Sequence, residues 1–105
     1  MKKMNFPRSD LLIPTVIQDA KTLEILMLGY MNRRSFNKTL KEGQVYFWSR
    51  SRRKIWKKGE ISGNKLGVKA IFSDCDKDAL LIKVKLIGKN VCHTGNKSCF
   101  YRKIL

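Results

Sequence analysis

The chain is short of acids, prolines and histidine: eight Asp and Glu, two Pro and one His among 105 residues. It lacks any apolar run near the roughly 18 residues needed to cross a bilayer. Its longest candidates, residues 23–31 and 79–87, are broken by Glu24 and by Lys83 and Lys85. No apolar stretch follows the basic opening MKKMNFPRSD, so no secretory signal is expected and a reducing, cytoplasmic setting is the default. Three cysteines make an odd number, which disfavours a disulfide framework, and none stand at CxxC spacing, which disfavours a zinc finger or ribbon. Repeats, low-complexity tracts and Pro/Ser-rich linkers are also missing. At about 100–200 residues per domain, the chain is read as a single domain over 1–105. A composition 43% hydrophobic and 10% aromatic argues for a folded rather than a disordered chain.

What is abundant is positive charge. Twenty-three Lys and Arg leave a net charge of +15, which points to a polyanion: nucleic acid, acidic membrane or a phosphorylated small molecule. Sixteen of the 23 are Lys, a residue that also simply solubilises a surface, so charge alone names no partner.

The apolar runs 15–19 and 23–30, joined by DAKT, read as a hairpin. Asn32 is placed to cap a helix over Arg33–Glu42, with Phe36 and Leu40 on one face and Gly43 at the stop. Strand-like runs follow at 44–49, 66–73 and 79–87, and 100–104 reads as a terminal strand. Pro7 and Pro14 are expected to bracket a loop or edge segment. Many strands, one clear helix and no room for helical crossovers predict an α+β fold with a largely antiparallel sheet.

Three constellations could carry chemistry. In SDCDKDA, Asp74, Asp76 and Asp78 recur at spacing two; in extended chain they would share one face, with Cys75 on the other. Such oxygen ligands suit Mg²⁺ or Ca²⁺, and a solvated, capping turn is the alternative. An EF-hand is excluded, because its required Gly and Glu are here Ala79 and Lys85. In CHTGNKSC, Gly95 lets the chain fold back so that Cys92 and Cys99 can meet one ion; with Cys75 that makes three thiolates and one open position, the ligand count of a catalytic zinc. Three buried, inert cysteines are the alternative. In FWSRSRRKIWKKGEISGN, six of the nine residues 50–58 are basic and interleaved with Trp48 and Trp56. Arginine forks and serine hydroxyls suit phosphate, Trp can stack on a base, and Gly59 and Gly63 permit close backbone approach to a ligand. The competing reading is a cationic hairpin tip with its Trp side chains in the core and Glu60 merely ion-paired.

MLGYMN, FWSRSR, W-x-KGE-x-SGN, DCDxDALL and CHTGxxSCFY occur in the order expected of the phosphoribosyl-AMP cyclohydrolases of histidine biosynthesis, and the chain resembles that family from Leu12 to Tyr101. The resemblance implies an α+β homodimer that hydrolytically opens the adenine ring of 1-(5-phosphoribosyl)-AMP at N1–C6 with a zinc-activated water. It implies zinc on Cys75, Cys92 and Cys99, with Cys75 of one subunit meeting the other two cysteines of its partner, and magnesium on Asp74, Asp76 and Asp78. A zinc held by three thiolates would be a weak Lewis acid that needs a nearby base, so His93, the sole histidine, is the expected proton-transfer residue, with passive orientation of Cys92 as its alternative role. Trp48, Ser49, Arg50, Ser51, Arg52, Lys58, Glu60, Ser62, Gly63 and Asn64 are the expected substrate contacts; Arg50, Arg52 and Lys58 are the candidates for its two phosphates, assisted by Ser49 and Ser51. Ile61 departs from the family's usual Thr. The pyrophosphohydrolase domain fused in some relatives is not expected here, nor is a membrane or a specific nucleic-acid partner. A nucleic-acid module would leave the three carboxylates unexplained, and a deaminase of free purine nucleotides would share the chemistry but break a different bond.

Overall fold

A computed structural model describes residues 12–60 and 62–105; the opening segment with Pro7, and Ile61, lie outside the described residues. The elements run β1 (Ile13–Asp19), β2 (Ile25–Met31), α1 (Arg33–Glu42), β3 (Tyr46–Ser49), β4 (Lys54–Lys57), β5 (Lys65–Ser73) and β6 (Leu80–Ile87). Four strands form one sheet in the order β2-β1-β6-β5, and β3 and β4 form a separate two-stranded sheet.

Local chemistry sets these boundaries. In β1, alternate residues Ile13, Thr15, Ile17 and Asp19 are buried, the period of two that a half-buried strand requires. In β6, Leu80, Ile82 and Val84 are buried in the same rhythm. Asn32 caps α1: its carboxamide oxygen accepts from the Ser35 N–H at 2.8 Å, while Ser35 Oγ accepts from the Asn32 N–H at 3.0 Å. Gly43, at φ 73°, ends the helix in the left-handed conformation, where a side chain would be strained.

The pairing is mostly antiparallel, as expected, with one exception: β1 and β6 run parallel, Thr15 to Asp19 against Leu80 to Val84. No short connection makes that pair; the chain between Asp19 and Leu80 carries the other strands and the helix. Pro14 lies inside β1 rather than in a loop. It is tolerated because the parallel ladder begins one residue later, so no β6 partner needs the missing N–H. Residues 100–104 form no strand, and all five side chains are exposed. Arg102 and Lys103 interrupt the apolar residues of this segment, so its sequence signal for a strand is weak.

The core joins Ile13, Ile17, Leu26, Met31, Phe36, Phe47, Leu66, Ile82 and Val84 across both sheets and the helix. Gly29 makes that joint possible. A Cβ there would lie 2.5 Å from the Phe47 ring, so its absence lets β3 pack on β2. Thr39 completes the joint from the helix: its Oγ1 donates to the Ser35 carbonyl at 2.9 Å and accepts from the Tyr46 N–H at 2.9 Å. No described helix is long and apolar enough to cross a membrane.

Candidate functional site

The loop after β6 folds back on itself. Val91 and Cys92 N–H groups donate to the Lys97 and Asn96 carbonyls at 3.0 and 3.1 Å, and Gly95 turns the chain at φ 95°. This brings Cys92 and Cys99 together, close enough for each to act on the other's titration. The Thr94 hydroxyl bonds Cys92 Sγ at 3.0 Å and, with the Thr94 N–H, holds that thiol below its usual range. Burial, followed by the charge of Cys92, pushes the Cys99 thiol up. Thr94 was missed in the sequence; a hydroxyl two residues after a candidate thiolate ligand was the available signal.

The carboxyl-terminal end of this loop is tied to the main sheet. Cys99 N–H donates to the Leu26 carbonyl at 2.7 Å, and the buried Ser98 Oγ donates to the Ile25 carbonyl at 2.6 Å. Lys97 reaches both Asp19 and Glu24 at 3.2 Å. Hydrogen bonds from the Lys21 N–H, then the Thr22 N–H and Lys97, outweigh burial and hold the Asp19 carboxyl below its usual range.

Lys58 approaches the cysteine loop from the end of β4. Its ammonium donates to the Val91 carbonyl at 2.6 Å, and its charge favours the thiolate form at both Cys92 and Cys99. The expectation that Lys58 is a phosphate cation therefore meets a residue already engaged beside the sulfurs. His93 is exposed in the same loop, and its imidazole makes no hydrogen bond among the described residues.

Cys75 is elsewhere. It lies exposed in the turn between β5 and β6, and among the described residues the three sulfurs do not gather within one chain. The segment around it is not extended, as the alternation of acids suggested. Asp74 closes it into a turn, its carboxylate accepting from the Asp78 and Ala79 N–H groups at 2.9 and 3.1 Å, with Lys77 at φ 63°. The turn, rather than a strand face, brings ligand oxygens of Asp74, Asp76 and Asp78 within 4.8 Å of one another. All three are exposed, and hydrogen bonding among their carboxyl groups sets their titration. Hydrogen bonding with Asp78 holds Asp74 low, while contacts with Asp74 and Asp76 push Asp78 up to about 6.

The donor chemistry of the two regions differs accordingly. Adjacent thiols, one with a lowered pKa and a cation beside it, suit a thiophilic ion such as zinc, but one chain supplies only two of the three sulfurs. Clustered carboxylates suit a hard cation such as magnesium.

The basic aromatic hairpin is β3–β4. Its turn is closed by the Arg53 N–H donating to the Ser49 carbonyl at 2.8 Å and the Arg52 N–H to Ser49 Oγ at 3.2 Å. Trp48 and Trp56 are half-buried; Trp56 packs on Phe47 with ring centroids 5.3 Å apart. A cavity of about 550 Å³ is lined by Trp48, Ser49, Arg50 and Ser51 together with Tyr30 and Trp56. The Arg50 guanidinium lies 4.0 Å above the Tyr30 ring. Glu60 forms no ion pair among the described residues. Gly59 and Asn64 serve the loop itself: a Cβ on Gly59 would strike the Asn64 backbone, and the Asn64 carboxamide oxygen accepts from the Lys89 N–H at 2.9 Å. The close approach made by Gly59 is thus to its own chain. Ser62 and Gly63 are exposed in that loop.

The model of one family, phosphoribosyl-AMP cyclohydrolase, matches residues 27–101. The chain is 52% identical to the phosphoribosyl-AMP cyclohydrolase of Solibacter usitatus, over 96% of this chain and 80% of that protein. It is 50% identical to the same-named protein of Clostridium botulinum, over 100% and 94%. It is also 56% identical to the histidine biosynthesis bifunctional protein HisIE of Caldanaerobacter subterraneus, over 97% of this chain and 49% of that longer protein.

Proposed function

Because the chain belongs to the phosphoribosyl-AMP cyclohydrolase family and is a hydrolase of that kind, we propose that it opens the adenine ring of 1-(5-phosphoribosyl)-AMP at the N1–C6 bond, a cytoplasmic step of histidine biosynthesis. The observation that carries this reading is the neighbourhood of the sulfur pair. Cys92 and Cys99 are joined through Lys58 to a basic, aromatic hairpin that carries a cavity of nucleotide size.

Cys92 and Cys99, with Cys75 of a second copy, would hold zinc; the exposed Cys75 and the incomplete sulfur set within one chain favour a homodimer with shared ligands. Bound there, zinc would supply Lewis acidity, lowering the pKa of water toward neutrality. The remaining work falls to the chain's own groups. Phosphoribose on N1 leaves the purine electron-poor and C6 open to attack by water. The hydrogen bonds from Thr94 favour the thiolate form of Cys92, the form that would ligate a metal, and Lys58 adds positive charge beside it. His93, exposed next to Cys92, takes the proton from the attacking water and returns one to N1 as the N1–C6 bond breaks. Asp74, Asp76 and Asp78 would hold magnesium.

An absorbance assay comparing 1-(5-phosphoribosyl)-AMP with AMP tests the reading. Ring opening of the first and no change in the second is expected; deamination of AMP, or no reaction with either, overturns it. His93→Ala should lower turnover about a hundredfold while zinc content is kept. An unaltered pH–rate profile in that variant would reduce His93 to a bystander.

A further inference from the structure

The hairpin divides its cations between two cavities. The first, about 550 Å³, contains Arg50 with Ser49 and Ser51. The second, about 290 Å³, is lined by Arg52, Lys54, Lys57, Lys58 and Ser62, with Glu60 its only acid. Trp56 lines both. The division originates in the turn, where the chain reverses between Ser49 and Arg53, the latter at φ 53°, so that arginines only two residues apart line different cavities.

Each cavity keeps charge available. Stacking on Tyr30 at 4.0 Å positions the Arg50 guanidinium without neutralising it. In the second cavity Lys58 is engaged by the Val91 carbonyl at 2.6 Å, Lys57 keeps its charge 5.9 Å over the Tyr46 ring, and among the described residues the Arg52 and Lys54 side chains have no polar or ring partner. Among the described residues, no basic side chain of 50–58 forms an ion pair with a carboxylate. Six like charges in nine residues repel one another, and anions placed on both sides of the hairpin would relieve more of that repulsion than a single anion.

Resting on the ring-opening reading, in which the substrate carries two phosphates, we propose that these phosphates occupy separate subsites on either side of Trp56, one formed by Arg50 and Ser51, the other by Arg52, Lys54 and Ser62. The nucleotide then lies across Trp56. Through Lys58 and Val91, the second subsite is the one connected to Cys92.

Two measurements test this. Arg50→Ala and Arg52→Ala should each raise KM at least about tenfold, the scale of a lost charge-assisted hydrogen bond, and the double variant should show the product of the two rises. Calorimetric titration with AMP and with ribose 5-phosphate, each bearing one phosphate, should show each variant weakening a different fragment. Arg50→Gln and Arg52→Gln, which keep more of the side-chain stem, should repeat the pattern. A double variant no worse than either single one, both variants weakening the same fragment, or wild-type protein binding neither fragment would overturn the partition. Failure of the ring-opening reading is seen separately, as wild-type protein that does not turn over 1-(5-phosphoribosyl)-AMP while the fragment titrations still report the two subsites.

Discussion

The cysteine loop and the acidic turn are both compact reversals next to β6, and they are held by opposite means. The loop at 92–99 depends on distant chain: β2 supplies carbonyls to Ser98 and Cys99, Asp19 and Glu24 hold Lys97, and β4 sends in Lys58. The turn at 74–78 is held by its own backbone, with Asp74 closing it and every side chain exposed. The thiols of Cys92 and Cys99 are thus fixed by tertiary structure, while the carboxylates, which could hold a metal ion, rest on a local turn. Cys75 is the exception, an exposed thiol standing in the locally built region.

The largest expected effect joins the two regions across a pair of subunits. Cys75→Ala and Cys92→Ala should each abolish ring opening, and mixing the two proteins after co-refolding should restore part of it, because one hybrid site keeps all three sulfurs. No recovery would mean that the turn of one copy does not complete the loop of another.

Selective damage sharpens the contrast. Ser98→Ala removes the donor to Ile25 and the acceptor for the Phe100 N–H, so it should destabilise the fold by about 1–2 kcal/mol in chemical denaturation and loosen zinc. Asp76→Asn leaves the Asp74 bonds that form the turn, so stability should stay within about 0.5 kcal/mol. The magnesium concentration for half-maximal activity should rise about tenfold. Equal destabilisation by both substitutions would erase the distinction between tertiary and local support.

The same difference governs what could be read from the sequence. Asn32, Ser35 and Gly43 fix α1 by local chemistry, and the helix occupies the expected residues. The alternation in β6 is likewise local and legible. The parallel match of β1 to β6 is not, because its partners lie 65 residues apart in a register that no turn specifies. The spacing of Cys92, Gly95 and Cys99 suggests a fold-back, and the loop does fold back on itself, with each thiol influencing the other's titration. The engagement of Lys58 by Val91 was hidden inside a run of similar cations, where sequence offered no reason to single it out. For the acids at 74–78 the sequence leaves two readings open, an extended segment and a solvated, capping turn, and the structure takes the turn. Spacing of two suits a strand, but Asp also closes turns through its own side chain, and here that preference prevailed.

The smallest effect concerns pH and the anchor of the cysteine loop. Asp19 has its carboxyl held below 3.8 chiefly by the Lys21 N–H, so folding favours its ionised form. Its contribution is therefore complete above pH 3.8 and is lost as pH falls through the lower folded value. Asp19→Asn retains an acceptor for the Lys21 and Thr22 N–H groups but loses the charge that Lys97 meets. Above about pH 5 the variant should be less stable by under about 1 kcal/mol, and below pH 3.8 the two unfolding curves should converge. Curves that stay parallel down to the acid limit would show that the Asp19 charge does not brace the loop, leaving the Ser98 and Cys99 bonds to β2 as its anchor.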